Sequence, residues 1–146
     1  MSKTPLELLD GETHLTTFTP SRATYIKEHM MLAAIGSVIA VLVLKWMGDP
    51  NLWVGIVGAI AAIGLRGVYV LSEAMEMEWH LTDQRVVGPA LRNIHLRDIT
   101  KINTIFSAAQ IITKTGDKHL MKYMSAPVAV RDEILATKDK FEAKRP

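Results

Sequence analysis

The chain has 146 residues, 49% of them hydrophobic and 22% charged, and it contains no cysteine. That length suits one small domain plus an accessory element, and the missing thiols exclude a disulfide framework, thiolate zinc sites, iron–sulfur ligation and a cysteine nucleophile. Seventeen Lys and Arg against fifteen Asp and Glu give a net charge of +2, far from the basic balance of a nucleic-acid-binding protein.

The first twenty-two residues, MSKTPLELLDGETHLTTFTPSR, lack a basic region followed by an apolar stretch. They do not read as a cleaved signal peptide, and neither chain end carries a lipidation signature. Within this arm (residues 1–21), Thr13–Phe18 is a strand candidate that can join the C-terminal domain if both chain ends share one side of a membrane.

Charge then almost vanishes. Between Met30 and Leu71 the only acidic or basic side chains are Lys45, Asp49 and Arg66. The hydropathy predicts a hairpin over 22–71, with helices over about 22–47 and 52–71; a bilayer core of about 30 Å needs roughly 20 helical residues. Ser21 after Pro20 is a suitable N-cap for the first helix. Two helices that are apolar all round need cover on every face, and the rest of the chain is too short and too polar to supply it. The joint Lys45-Trp46-Met47-Gly48-Asp49-Pro50-Asn51-Leu52-Trp53 turns the chain and sets Trp46 and Trp53 where an aromatic belt belongs. Tyr25, Tyr69 and Trp79 are the expected anchors at the opposite surface, toward which Arg66 can snorkel.

Small residues recur four apart: Gly36 and Ala40 in the first helix, Gly55 with Ala59 and Gly58 with Ala62 in the second. Such spacing lets helices approach closely in lipid. It serves either packing inside the hairpin or a surface for another subunit, and two stripes on one helix exceed what a single neighbour uses. Lys45 is the one base in the short loop, whereas Arg22, Lys27 and Arg66 flank the other ends, so the charge bias places both termini in the cytoplasm.

Past Leu71 the apolar period shortens to two. Met75–Leu81 alternates apolar and polar residues and reads as a half-buried strand that turns at Thr82-Asp83-Gln84 into Arg85-Val86-Val87. Gly88-Pro89 breaks that run. Further strand candidates are Ile94–Leu96, Lys101–Ile105, Gln110–Thr115 and His119–Met124, a spacing found in small antiparallel barrels and sandwiches. In the tail, Ser125 is a candidate cap for a helix over about 126–143, with Pro127 in its first turn. Val130, Ile134, Thr137 and Phe141 share one face, as expected of a helix closing a barrel; a membrane-surface helix is the other reading, against which its mixed-sign polar face speaks.

These residues together resemble the bacterial pleckstrin-homology-like (PH-like) membrane proteins. The resemblance rests on Gly11-Glu12 and Pro20-Ser21 before the hairpin, on Trp79-His80-Leu81-Thr82-Asp83-Gln84-Arg85-Val86-Val87, and on Ile94-His95-Leu96-Arg97-Asp98-Ile99. It covers nearly the whole chain in order, through short motifs. It implies an α+β membrane protein: a transmembrane helical hairpin plus a small PH-like antiparallel β-barrel capped by the C-terminal helix over 72–146. It also implies a non-enzymatic membrane accessory, one branch of the family assisting assembly of bacterial photosynthetic complexes. That branch typically has an additional span, absent here. The loop Gly88-Pro89-Ala90-Leu91-Arg92-Asn93 departs from the family's glycine-rich turn.

No catalytic constellation is apparent. His14, His29, His80, His95 and His119 show no metal-binding spacing, and there is no HExxH motif, phosphate loop or GxSxG elbow. His29 at the membrane boundary invites comparison with haem or chlorophyll ligands, but an interfacial polar residue is the simpler reading. Glu73, Glu76 and Glu78 read as a solvated face. Lys114, Lys118 and Lys122 mark the most basic hairpin, a candidate contact for anionic headgroups. The expectation is therefore a multi-pass accessory or scaffold of the bacterial inner membrane. It needs no cofactor, metal or nucleic acid; its partners are the bilayer and other integral membrane subunits, or a second copy of itself. A membrane-anchored module that binds anionic lipid is the alternative.

Overall fold

A computed structural model describes residues 6–145. Arg22–Ala74 form one compact unit, and the segments before and after them form a second.

The first unit is a pair of helices, α1 (Arg22–Trp46) and α2 (Leu52–Met75). Both are long and apolar enough to cross a membrane. The chain reverses between them at Gly48, whose φ of +75° suits a residue without Cβ, and the Asp49 side chain accepts a hydrogen bond from the Asn51 N–H at 2.8 Å. Helix α2 runs four residues past Leu71. Ser72-Glu73-Ala74-Met75 therefore extend the helix, and the strand expected from Met75 starts only at Trp79. Glu, Ala and Met are strong helix formers, and their propensity outweighs a short alternating pattern.

Among the described residues the second unit holds seven strands: β1 (His14–Phe18), β2 (Trp79–Thr82), β3 (Arg85–Gly88), β4 (Arg92–His95), β5 (Ile99–Ile105), β6 (Ala108–Thr113) and β7 (Lys118–Met121). They form two antiparallel sheets, β1-β2-β3-β4 and β5-β6-β7. Among the described residues they do not close into the single barrel that the resemblance implies. After only four residues of β4 a 3-10 turn, Leu96–Asp98, diverts the chain and tucks Leu96 into the core, so the first ladder ends there and a new one starts at Ile99. The N-terminal strand does join this unit: β1 pairs with β2, setting Phe18 opposite Trp79.

Helix α3 (Pro127–Ala143) packs on β5, β6 and the 3-10 turn. Its N-cap is Ala126, with no side-chain cap; Ser125 lies one residue too early to fill that role. Val130 and Ile134 enter a core shared by both sheets, with Trp79, Leu81, Val86, Ile94, Leu96, Ile99, Ile111 and Met121. Lys138 reaches back from α3 to donate to the Ile99 carbonyl at 2.7 Å.

Hydrogen bonds and register sort the connections of this unit to two ends. At one lie Phe18–Ser21, where the chain leaves for α1, and Glu76–Trp79, where it returns from α2. Beside them are the β3–β4 turn, since β2 and β3 pair His80 with Val87, and the β5–β6 turn. The latter is tied in by Met124 N–H to the Ser107 carbonyl (2.8 Å) and Ser21 N–H to the Tyr123 carbonyl (2.7 Å). At the far end lie Thr13, the β2–β3 turn, the 3-10 turn and the β6–β7 turn, joined by Asp83 N–H to the Thr13 carbonyl, Leu96 N–H to Gln84 and Lys114 N–H to Asp98.

Candidate functional site

In the helical hairpin, one small-residue stripe of each helix faces the other. A Cβ on Gly36 would lie 3.1 Å from the Ile63 side chain and 3.7 Å from Ala59. One on Gly55 would lie 3.1 Å from the Ala40 Cβ and 3.2 Å from its backbone. Tyr25, Gly67 and His29 extend this seam: the Tyr25 hydroxyl donates to the Gly67 carbonyl at 2.8 Å, and the Tyr25 ring stacks on His29 at 4.0 Å. Nδ1 of His29 donates to the Tyr25 carbonyl one turn back, at 2.9 Å. Tyr25, expected as a membrane-interface anchor, is thus a buried strut of the hairpin.

The other stripe of α2 is open. Gly58 has nothing within 4 Å of a built Cβ, and Ala62 beside it is exposed. Trp46 (89% exposed), Trp53, Arg66 and Tyr69 also point away from the protein. The two stripes of α2 therefore differ, one spent on α1 and one free. Gly55→Leu is expected to prise the helices apart and cost about 1–3 kcal/mol of hairpin stability, whereas Gly58→Leu leaves it unchanged. Thermal unfolding in detergent, followed by helical circular dichroism, separates the two.

Trp79 departs further from its expected place. It is 2% exposed and lies in the core of the sheet unit, its ring covering Gly88 so closely that a Cβ there would fall 2.4 Å away. The ring therefore packs inside the domain, where an exposed anchor was expected.

The three lysines expected to meet headgroups are exposed but not assembled. Lys114 and Lys118 flank the β6–β7 turn at the far end of the unit, whereas Lys122 follows β7 toward the junction end, a strand of four residues away, roughly 13 Å. Three other cations, Lys140, Lys144 and Arg145, line a cleft of about 330 Å³ beside Leu15, Asp83 and Phe141. That cleft also belongs to the far end. It escapes the sequence because residues far apart in the chain form it.

Glu12 and Arg85 form a buried ion pair. Nε and Nη2 of Arg85 donate to the two carboxylate oxygens of Glu12 at 2.8 and 3.1 Å. The Leu9 N–H (2.7 Å) and the Thr82 hydroxyl (2.6 Å) donate to the same carboxylate. Nη1 and Nη2 of Arg85 also donate to Asn93 Oδ1 and the Glu7 carbonyl, at 2.6 and 2.7 Å. Burial alone would raise the Glu12 pKa, but the Arg85 hydrogen bonds, the Leu9 and Thr82 donors and the Arg85 charge outweigh it and hold the carboxyl at about 2. Four residues of Leu81-Thr82-Asp83-Gln84-Arg85 have distinct tasks. Leu81 fills the core, and the Thr82 hydroxyl accepts from the Arg85 N–H and closes the turn. Asp83 accepts from the Thr13 N–H at 2.9 Å, and Arg85 clamps Glu12. The motif fastens the N-terminal arm to the sheet.

His14 and His80 meet across β1 and β2 with ring centroids 5.8 Å apart, and each ring is within hydrogen-bond reach of the Thr17 hydroxyl. Partial burial and the neighbouring His14 push the His80 pKa down, against a smaller opposing pull from Glu78. No group of three or more metal-ligating side chains occurs among the described residues. No protein-family model, curated protein or solved structure matches the chain.

Proposed function

We propose that this chain is a non-enzymatic, integral membrane accessory or scaffold protein that helps assemble or stabilise a larger membrane complex. Its hairpin spans a bacterial inner membrane with both termini in the cytoplasm, and a PH-like domain lies at the cytoplasmic surface. Two observations support the spanning reading. No residue in the most apolar stretch of α1 is buried, and few are in α2. Side chains such as Val38, Leu42, Ile60, Leu65 and Val68 stand exposed, each forgoing about 1.5–3 kcal/mol of burial in water, which lipid restores. Two antiparallel sheets and a helix packed over them are the parts a PH-like domain needs.

The observation that carries the scaffold reading is the open Gly58/Ala62 face on a helix whose other small-residue face is already occupied. In lipid, close backbone approach and not hydrophobicity holds helices together, so an unfilled small-residue face on a spanning helix suits a partner helix. Purification in mild detergent followed by mass spectrometry is expected to recover stoichiometric integral membrane subunits, or a second copy of this chain. Gly58→Leu is expected to lose them. A chain that always migrates alone refutes the proposal.

The alternative, a module reading anionic headgroups, is disfavoured because Lys122 lies a full strand away from Lys114 and Lys118, so the three do not form one basic patch.

A further inference from the structure

The junction end of the sheet unit carries large apolar side chains held out into solvent. Leu91, in the β3–β4 turn, is 78% exposed, and Phe106, in the β5–β6 turn, is 84% exposed. Met77, in the segment returning from α2, is 42% exposed. These residues come from three separate connections, so no single run of hydrophobic sequence accounts for their gathering. Both turns are also conformationally costly. Ala90 and Leu91 have φ of +57° and +58°, and Phe106 has +52°, a region in which Gly or Asn rests with far less strain. The remaining described non-glycine residue with positive φ, Tyr123 at +59°, belongs to the same end. A soluble surface gains nothing from displaying Leu and Phe on strained tips.

Covalent geometry supplies the occupant. Three residues join β1 to α1 and three join α2 to β2, a reach of roughly 10 Å each when extended. Resting on the spanning reading of the hairpin, we infer that Leu91 and Phe106 are membrane-contacting tips that dip into the interfacial layer of the same bilayer. Aromatic and aliphatic side chains are favoured at that depth. The tips would hold the sheet unit against the lipid surface and restrict its swing about the two short junctions. The lysines at the far end would then face the cytoplasm, free of headgroups.

The natural absence of cysteine makes the test direct. In full-length protein reconstituted into vesicles, Arg92→Cys carries an environment-sensitive fluorophore beside an intact Leu91. Leu15→Cys marks the far end, and Val38→Cys marks the middle of α1. Lipids bearing a nitroxide near the headgroup are expected to quench the Arg92→Cys label and to spare the Leu15→Cys label. Lipids with a mid-chain nitroxide quench Val38→Cys. Adding Leu91→Asp and Phe106→Asp, which introduce a residue more tolerant of positive φ, is expected to abolish the Arg92→Cys quenching. An unquenched Arg92→Cys label beside a quenched Val38→Cys label overturns the inference and leaves the hairpin reading standing. An unquenched Val38→Cys label overturns both. Quenching at Arg92→Cys that survives the two Asp substitutions overturns the role given to Leu91 and Phe106.

Discussion

Arg85→Ala is expected to destabilise the sheet unit by about 3–5 kcal/mol, because it leaves the fully buried Glu12 carboxylate without its charge partner. Whole domains are stable by only about 5–15 kcal/mol, so this change takes a small one close to unfolding. Urea titration in detergent, in a Trp46→Phe/Trp53→Phe background that leaves Trp79 as the core reporter, measures it directly. Replacing both partners with apolar residues of similar size is expected to cost much less, since nothing buried is then left unpaired. Acid provides a second view of the same pair. The Glu12 carboxyl is held at about 2 in the folded protein against an ordinary value of 4.5, so the unfolded chain binds its proton first as pH falls. The resulting stability, at most about 3 kcal/mol, is complete above about pH 4.5 and is lost as pH falls through 2. Glu12→Gln removes this acid limb; an unchanged limb in that variant would disprove the assignment.

Trp79→Ala is expected to cost about 3–5 kcal/mol, the range for truncating a buried aromatic side chain. Gly88→Ala, which drives a Cβ to 2.4 Å from the indole ring, is expected to lie at the upper end of the 1–3 kcal/mol typical of overpacking. The two residues form one packed unit, so the double variant should cost less than the sum of the singles. A tryptophan serving as an interface anchor behaves otherwise: its loss changes depth or tilt in the bilayer and leaves the sheet unit's unfolding midpoint where it was. Circular dichroism of thermal unfolding distinguishes the two cases.

Much of the architecture is legible in the sequence. The helices appear where a nearly uncharged stretch is interrupted once by Gly48-Asp49-Pro50-Asn51, because helix length and a reversal need only local information. Strands β1 and β3 follow their predicted positions within a residue, since alternation and Gly88-Pro89 mark them locally. Met75–Leu81 misled because seven alternating residues also suit the end of a helix, and Ser125 misled because neighbouring Ala126 took the cap.

The resemblance-carrying residues are a different case. Glu12 and Arg85 could be noted as motif members, but a spacing of 73 residues does not reveal a bidentate ion pair. Nor does the sequence tell Trp79 from an interface anchor, because an aromatic residue just past a long apolar helix suits both bilayer rim and domain core.

The segregation of the chain, the helical hairpin, the number and rough position of the strands and the closing helix are all legible in the sequence. These follow from composition, periodicity and turn chemistry, all short-range properties. Tertiary structure alone decided that seven strands split into two sheets, that one glycine stripe of α2 is spent and the other open, that Trp79 is core, and that Leu91 and Phe106 share an end. Each of these depends on which side chain meets which across many residues of chain, and packing sets that only once the whole fold has closed.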